Sequence, residues 1–421
     1  MTTAMPGRAL SPEARTSIFY ATLFNTAAVA NPFLPIWLNE QGIAETQIGT
    51  ISAAPIFVMI MLNLVVGRIA DKASDWRQVI IAGALLAAVF PLLLFFVDGY
   101  WQILIVWTLL IVPIQAIAPV VDAAAMYLAR RHNVNFGMMR VWGTVGFTVV
   151  TVVSGLVLGW LGAGAFVPII VAVNVVLILA ALQLPRFRQA GEEPPKGFST
   201  PSTRSSLPSQ PSSVVTAESR PPHPLVATKL SQAWRPWYFL PLVGGALLQA
   251  SHMAQMGFGS LLWKRAGIPE GLIGPLWAVA PACEIIIMLY FHRFARRFSA
   301  RHLLLAACLL AAVRWVGFAL QPDIWWYIPL QALHMASFGL GYLGMVNFIA
   351  NWTSEDIAAQ SQSFYVTIRQ IAMVLALTGF GFLVARIGSD AYWMAGVTAL
   401  AAAVCMMISL RMMSPRQELD G

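Results

Sequence analysis

GIAETQIG, at residues 42–49, returns as GIPEGLIG at residues 267–274. Gly42, Ile43, Glu45, Ile48 and Gly49 recur as Gly267, Ile268, Glu270, Ile273 and Gly274, each displaced by 225 positions in a chain of 421. An offset of just over half the length points to two related halves. At the same offset ADKASDWR (70–77) faces ARRFSARH (295–302).

The composition says where those halves reside. The chain is 58% hydrophobic and 10% charged, against about 25% charged for a soluble domain, so it lacks the polar surface to cover itself. Runs such as IIAGALLAAVFPLLLFFV (80–97) and FVPIIVAVNVVLILAALQL (166–184) approach the ~20 residues that a helix needs to cross roughly 30 Å of hydrocarbon. Without water for their backbone groups such runs must be helical. Twelve spans are expected, among them 17–38, 237–262 and 360–385. The first holds Asn25, Asn31, Pro32 and Pro35 and is too long for a cleavable signal core. Six spans fall in residues 1–184 and six in 236–421. Between them, 185–235 is rich in Pro and Ser and reads as a disordered cytoplasmic linker, unable to bury enough apolar surface to fold. The expected fold is an all-α membrane protein of two pseudo-symmetric six-helix bundles.

Orientation follows from basic residues. With the N-terminus cytoplasmic, only Lys264, Arg265 and Arg386 fall in outer loops, whereas Arg68, Lys72, Arg77, Arg130, Arg131, Arg293, Arg296, Arg297 and Arg301 lie inside. That asymmetry places both termini in the cytoplasm. It also accounts for the net charge of +8 without a nucleic-acid partner. Cys283, Cys308 and Cys405 fall inside spans and read as packing residues with no metal-ligand spacing.

A second echo lies within the C-terminal half. QASHMAQMGFG (249–259) matches QALHMASFGLG (331–341) in Gln, Ala, His, Met, Ala and both glycines. Gln and His three apart share a helical face, so Gln249/His252 and Gln331/His334 are expected to face one cavity, with interhelical hydrogen bonding as the alternative. Charges inside the spans are Asp122, Arg140, Glu284, Arg314 and Arg369. A charge at mid-bilayer costs at least ~2.5–3.5 kcal/mol and demands a partner. Asp122 is expected to meet Arg140, and Glu284 to meet Arg314, with His334 beside the second pair. Burial raises a carboxyl pKa and an adjacent arginine lowers it. A Glu284–Arg314 contact made and broken in a cycle would therefore load and release a proton; a static ion pair is the alternative. Arg369 is expected to snorkel to the interface.

Two stretches resemble a known family. GRIADKASDWR (67–77) is similar to the loop signature of the major facilitator superfamily in Gly67, Asp71, Lys72 and Arg77, with Ser74 in place of the inner glycine. FGMMRVWGTVGF (136–147) resembles the Tyr-Gly-x-x-Arg-x-Trp-Gly-Ser-x-Gly-Phe stretch of the 3-phenylpropionate permease branch, with Phe136 and Thr144 as departures. The resemblance spans nearly the whole chain outside the linker. It implies the major facilitator fold in a bacterial inner membrane, working as a monomer with a small-molecule substrate, protons and the lipid bilayer as its only partners. It further implies substrate contacts at Asp122 and Arg140, and coupling at Glu284, Arg314 and His334, as in the lactose permease. Asp71 would help latch the cytoplasmic face, with Gly67, Lys72 and Arg77 in the same gating loop.

Asn25, Gln249, His252, Gln331 and Trp263 complete the expected substrate contacts. Arg140 would grip a carboxylate, and Trp142, Trp263, Trp277 or Trp315 would stack on an aromatic ring. An aromatic monocarboxylate is the first substrate reading; a nucleoside or sugar, or drug efflux, stand as alternatives. No HExxH, GxSxG or phosphate-binding loop occurs, so enzymatic chemistry, cofactors and metals are not expected.

Overall fold

A computed structural model describes residues 10–187 and 234–412, with side chains for all of these except 64–72, 355–356 and 358–359. The linker expected at 185–235 thus lies almost wholly outside the described residues. The N-terminal half holds α1 (Pro12–Leu23), α2 (Asn25–Glu40), α3 (Glu45–Lys72), α4 (Trp76–Val89), α5 (Tyr100–His132), α6 (Phe136–Leu161) and α7 (Phe166–Leu182). The C-terminal half holds α8 (Pro236–Ser251), α9 (Met253–Arg265), α10 (Glu270–Ala295), α11 (Ala300–Ala319), α12 (Ile324–Ala332), α13 (Gly341–Trp352), α14 (Glu355–Ile387) and α15 (Ala391–Met412).

Nine helical stretches among the described residues are long and apolar enough to cross a membrane, against twelve expected. The last of them, Gln360–Met412, merges α14 and α15 across the short turn Gly388–Asp390. The expected first and seventh spans are each broken in two, so neither piece reaches membrane length. α1 gives way to α2 at Phe24, where the Thr22 hydroxyl donates to the Phe19 carbonyl at 2.8 Å. α8 gives way to α9 at His252. There the Ser251 hydroxyl donates to the Leu248 carbonyl at 2.7 Å and the His252 ring joins it at 2.8 Å, local bonds that compete with the helical ladder. The second copy of the echo is irregular as well: a π-helical segment, Met335–Leu340, follows His334. π-turns gather at functional positions.

The repeated octapeptide builds one device twice. Gly42 and Gly267 adopt positive φ, 76° and 87°, where a side chain would be strained. Each closes the preceding helix: the amides of Ile43 and Ile268 reach back to the carbonyls of Leu38 and Trp263, both at 3.0 Å, as in a Schellman turn. Glu45 and Glu270 then sit in the first turns of α3 and α10, where the helix dipole favours a negative charge. Ile48 and Ile273 are fully buried. The final glycines press against the opposite half. A Cβ on Gly49 would overlap the Leu377 carbonyl of α14, and one on Gly274 would overlap the Thr151 carbonyl of α6 and stand 2.9 Å from the Gly155 Cα.

The halves accordingly meet through α3 against α14, α6 against α10 and α2 against α9. Charges tie the same end together. Lys264 bridges Glu40 at 2.5 Å and Glu270 at 2.6 Å, and Arg265 pairs with Glu45. These groups are partly exposed, so each pair contributes at most about 1 kcal/mol; the close helix contacts do most of the holding.

Candidate functional site

Two charged clusters sit on opposite halves. In the N-terminal one, Asp122 on α5 accepts a 2.7 Å hydrogen bond from the Tyr20 hydroxyl on α1, and Arg140 on α6 approaches it at 3.6 Å. The guanidinium lies over the Phe24 ring, 4.4 Å from its centroid, and more loosely over Tyr20 at 5.6 Å, a cation–π arrangement that holds it in place. The expected Asp122–Arg140 pair is therefore present. Tyr20 and Phe24 were not legible in sequence, since nothing local distinguishes them from other apolar-span aromatics. Asn25 is buried nearby on α2, its Oδ1 without a hydrogen-bond partner.

The C-terminal cluster departs from expectation. Glu284 on α10 meets His334 at 2.9 Å and makes no ion pair with Arg314. Both members of the Glu284–His334 pair keep some exposure, 19% and 15% of their side chains. The other ring nitrogen of His334, Nδ1, is buried without a partner. Arg314 on α11 is fully buried and solvated by neutral groups. Its Nε donates to the Leu330 carbonyl at 2.8 Å, and its Nη2 to the side-chain oxygens of Gln331, at 2.7 Å, and Gln255. The faces of Trp315 and Phe318 lie 4.5 and 5.1 Å from the guanidinium carbon. Gln331 and His334 share a face, and one takes the arginine while the other takes the acid; that division separates Glu284 from Arg314.

The echoed segments clasp each other. His252 reaches Ser337 at 3.2 Å, and Gln255 donates to Gln331 at 2.8 Å, while the His252 and His334 rings stand 5.3 Å apart. A carbonyl only accepts, so in the neutral His252 ring Nδ1 donates to Leu248 and Nε2 accepts from Ser337. Gln249, His252 and Gln331 are 2%, 1% and 0% exposed. In this conformation all three are buried and none lines the cavity between the halves, and His252 and Gln331 are hydrogen-bonded within the C-terminal half. Gln255, overlooked in the sequence because the echo replaces it with Ser337, is a second amide acceptor for the arginine's Nη2, while Nη1 stays buried without a partner. Gln255→Leu leaves a buried cation short of an acceptor and is expected to cost about 1–3 kcal/mol, read as a lower melting temperature of the detergent-purified chain.

Trp263, expected at the substrate, is 1% exposed in this conformation and packs on Phe318, Tyr327 and Trp277 at centroid distances of 5.9, 5.3 and 6.5 Å. Of the gating set, the side chains of Gly67, Asp71 and Lys72 lie outside the described residues. Arg77 donates to the Leu182 carbonyl at the end of α7, 2.7 Å.

Between the halves lies a cavity of about 200 Å³, walled by α2, α3, α5, α9 and α14. Among the described residues no three His, Cys, Asp or Glu side chains gather as a metal site.

Comparisons with known proteins bear on this architecture. The chain matches the MFS_1-like family over residues 14–376. It is 26% identical to the probable 3-phenylpropionic acid transporter of Escherichia coli K12 over 393 residues, covering 91% of this chain and 94% of that protein. It is equally 26% identical to the maltose permease of Geobacillus stearothermophilus over 401 residues, covering 93% and 91%. Among solved structures, the nucleoside transporter NupG superposes with a TM-score of 0.77 at 14% identity, over 96% of this chain and 99% of that one, a likeness of fold. Two helical halves in one membrane-spanning body, a full-length family match and two transporter relatives agree: the chain belongs to the MFS_1-like family of membrane transporters and is not an enzyme.

Proposed function

We propose that the chain is a proton-coupled symporter of a small aromatic carboxylate, working by alternating access between its two halves in a bacterial inner membrane, as a monomer. The broken α1–α2 and α8–α9 rods count as crossings, which gives twelve, with both termini cytoplasmic and the Gly42/Gly267 end facing outward. The glycine contacts and ion pairs at that end make this the state closed to the outside.

The observation that carries the coupling is the 2.9 Å Glu284–His334 contact. A carboxylate and an imidazole at that distance, partly reached by solvent and next to a π-helical turn, can hold one proton between them and pass it to either side. Arg314, solvated by amide oxygens, supplies a fixed positive field that the loaded and unloaded states feel differently. Asp122 and Arg140, with Tyr20 and Phe24, form the polar contact of the opposite half. The relative named as a 3-phenylpropionic acid transporter supports the substrate class. Sugar symport is the second reading, favoured by the maltose permease matching at the same identity.

Driving forces separate the two. A monocarboxylate entering with one proton carries no net charge, so a pH gradient drives it and a membrane potential does not; a sugar–proton symporter responds to both. In proteoliposomes, initial uptake of labelled 3-phenylpropionate is expected to rise about tenfold above protein-free liposomes with acid outside, and to be indifferent to potential. One pH unit supplies about 1.4 kcal/mol, which fixes the accumulation ratio with or without the protein, so the comparison is of initial rates and not of the final level. Maltose uptake driven by potential, with no acceleration of the acid, would overturn the aromatic-acid reading.

A further inference from the structure

The cavity between the halves has no charged residue in its lining. Its walls include Met253 and Met256 of α9, Met373 of α14 and Trp107 of α5, with Asn31 and Gln115 among the few polar groups. Methionine thioethers adapt to and favour aromatic edges. At about 200 Å³ it is smaller than the ~300–1,000 Å³ of sites that enclose drug-sized ligands. That volume is of the order of one ring with a short chain.

A charge for the chain's end lies just beyond. Met373 and Leu377 of α14 line the cavity, and Arg369 precedes Met373 by four positions, hence on the same helical face. The buried residues Ser361, Tyr365, Leu377, Phe380 and Val384 mark that face as the one turned to the protein. Arg369 lies nine positions inside the apolar stretch that begins at Gln360, about 14 Å along the axis. Its Nε is buried without a hydrogen-bond partner, and among the described side chains no carboxylate forms an ion pair with it. Beside it the amides of Asn63 and Gln370 meet across the halves at 3.4 Å. A cation within an apolar span is costly without a counter-charge, and a bound anion would supply one. Arg140, by contrast, already has Asp122.

We propose that the methionine-lined cavity receives the ring of a monocyclic aryl carboxylate and that Arg369, one helical turn toward the cytoplasm, binds its carboxylate. One helical turn is about 5.4 Å along the axis, of the order of the distance from the centre of a phenyl ring to a carboxylate carried on a two-methylene chain. The assignment rests on the aromatic-carboxylate reading of the substrate and deepens it.

Equilibrium binding of labelled 3-phenylpropionate and of neutral 3-phenylpropan-1-ol to the purified full-length chain tests it. The wild type is expected to prefer the acid by at least ~10-fold. Arg369→Gln is expected to weaken the acid by about 10- to 100-fold, the loss of a charge-assisted hydrogen bond, while leaving the alcohol unchanged. Arg369→Lys keeps part of the preference, and serves where the glutamine variant fails to fold. Ala27→Phe, which fills the cavity from α2, weakens both ligands alike. Acid binding within about twofold of wild type in Arg369→Gln, or loss of the preference only in Arg140→Gln, overturns the anchor and leaves the substrate class standing. Unaltered binding in Ala27→Phe overturns the ring site. No saturable binding of the acid by the wild type overturns the substrate class and the site together.

Discussion

Glu284→Gln abolishes pH-gradient-driven uptake of 3-phenylpropionate, lowering it at least about 100-fold, the scale of removing a positioned proton carrier, while exchange of labelled for unlabelled substrate persists. The reasoning starts from His334, 2.9 Å away. Glutamine keeps the size of the side chain and its ability to hydrogen-bond that ring, so packing around the π-helical segment survives. It cannot gain or lose a proton, so the site resembles its loaded form permanently. A carrier fixed in that form still reorients with substrate bound, which is what exchange measures, but cannot return empty after releasing a proton. The paired titration belongs to both groups, and a second variant apportions it. His334→Gln is expected to slow net uptake and shift its pH profile without eliminating coupling. If His334→Gln abolishes coupling and Glu284→Gln does not, the proton rides on the imidazole and the assignment of Glu284 is wrong.

How far the residues alone disclosed this arrangement differs from one feature to the next. Asp122–Arg140 was legible because adjacent spans carry one charge each and a membrane tolerates neither alone. The same logic applied to Glu284 and Arg314 misled, because it admits only charged partners. The arginine instead donates through Nε and Nη2 to Gln255, Gln331 and a backbone carbonyl, neutral acceptors that no charge count reveals, while its Nη1 is left without a partner. The echo around His252 and His334 announced that two helices are related, yet not that they would clasp each other and seal Gln249 away from the cavity. Helix interruptions at Phe24 and His252 escaped hydropathy, which sees an apolar run and not the side chains that compete for its carbonyls. For Arg369, hydropathy placed the start of the apolar stretch at 360, as found, but could not show that its Nε is buried without a hydrogen-bond partner. The cavity had no sequence signal at all, since its walls come from five helices whose mutual facing is set only by tertiary packing.

The octapeptide repeat leads to the other large effect. Gly274→Leu is expected to destabilise the state closed at the Gly42/Gly267 end by about 1–3 kcal/mol, the usual penalty of overpacking, which shifts the closed-to-open ratio about 5- to 150-fold. The clash is with backbone: the Thr151 carbonyl and the Gly155 Cα cannot rotate aside as a side chain can. Gly49→Leu meets the Leu377 carbonyl and the Gly381 Cα on α14, a separate helix pair, so the two penalties should add. The penalty exists only while the halves touch at this end, so opening relieves it. Net uptake falls because the cycle must pass through that closed state. The readout is Asn31→Cys, a cavity position, in a background with Cys283, Cys308 and Cys405 replaced by alanine. An impermeant maleimide added on the Gly42/Gly267 side should label it at least ~5-fold faster when Gly274 is leucine, matching the lower bound of the shifted ratio. Gly379→Leu supplies the control, since an added Cβ there meets nothing within 4 Å although it lies on the same α14 between Leu377 and Gly381. Labelling that responds equally to Gly379→Leu and Gly274→Leu would mean that closure does not depend on the repeated glycines. A response confined to Gly49 and Gly274 would explain why the chain carries its octapeptide twice: each half contributes one turn, one acidic helix start and one bare backbone surface to a single two-sided seal.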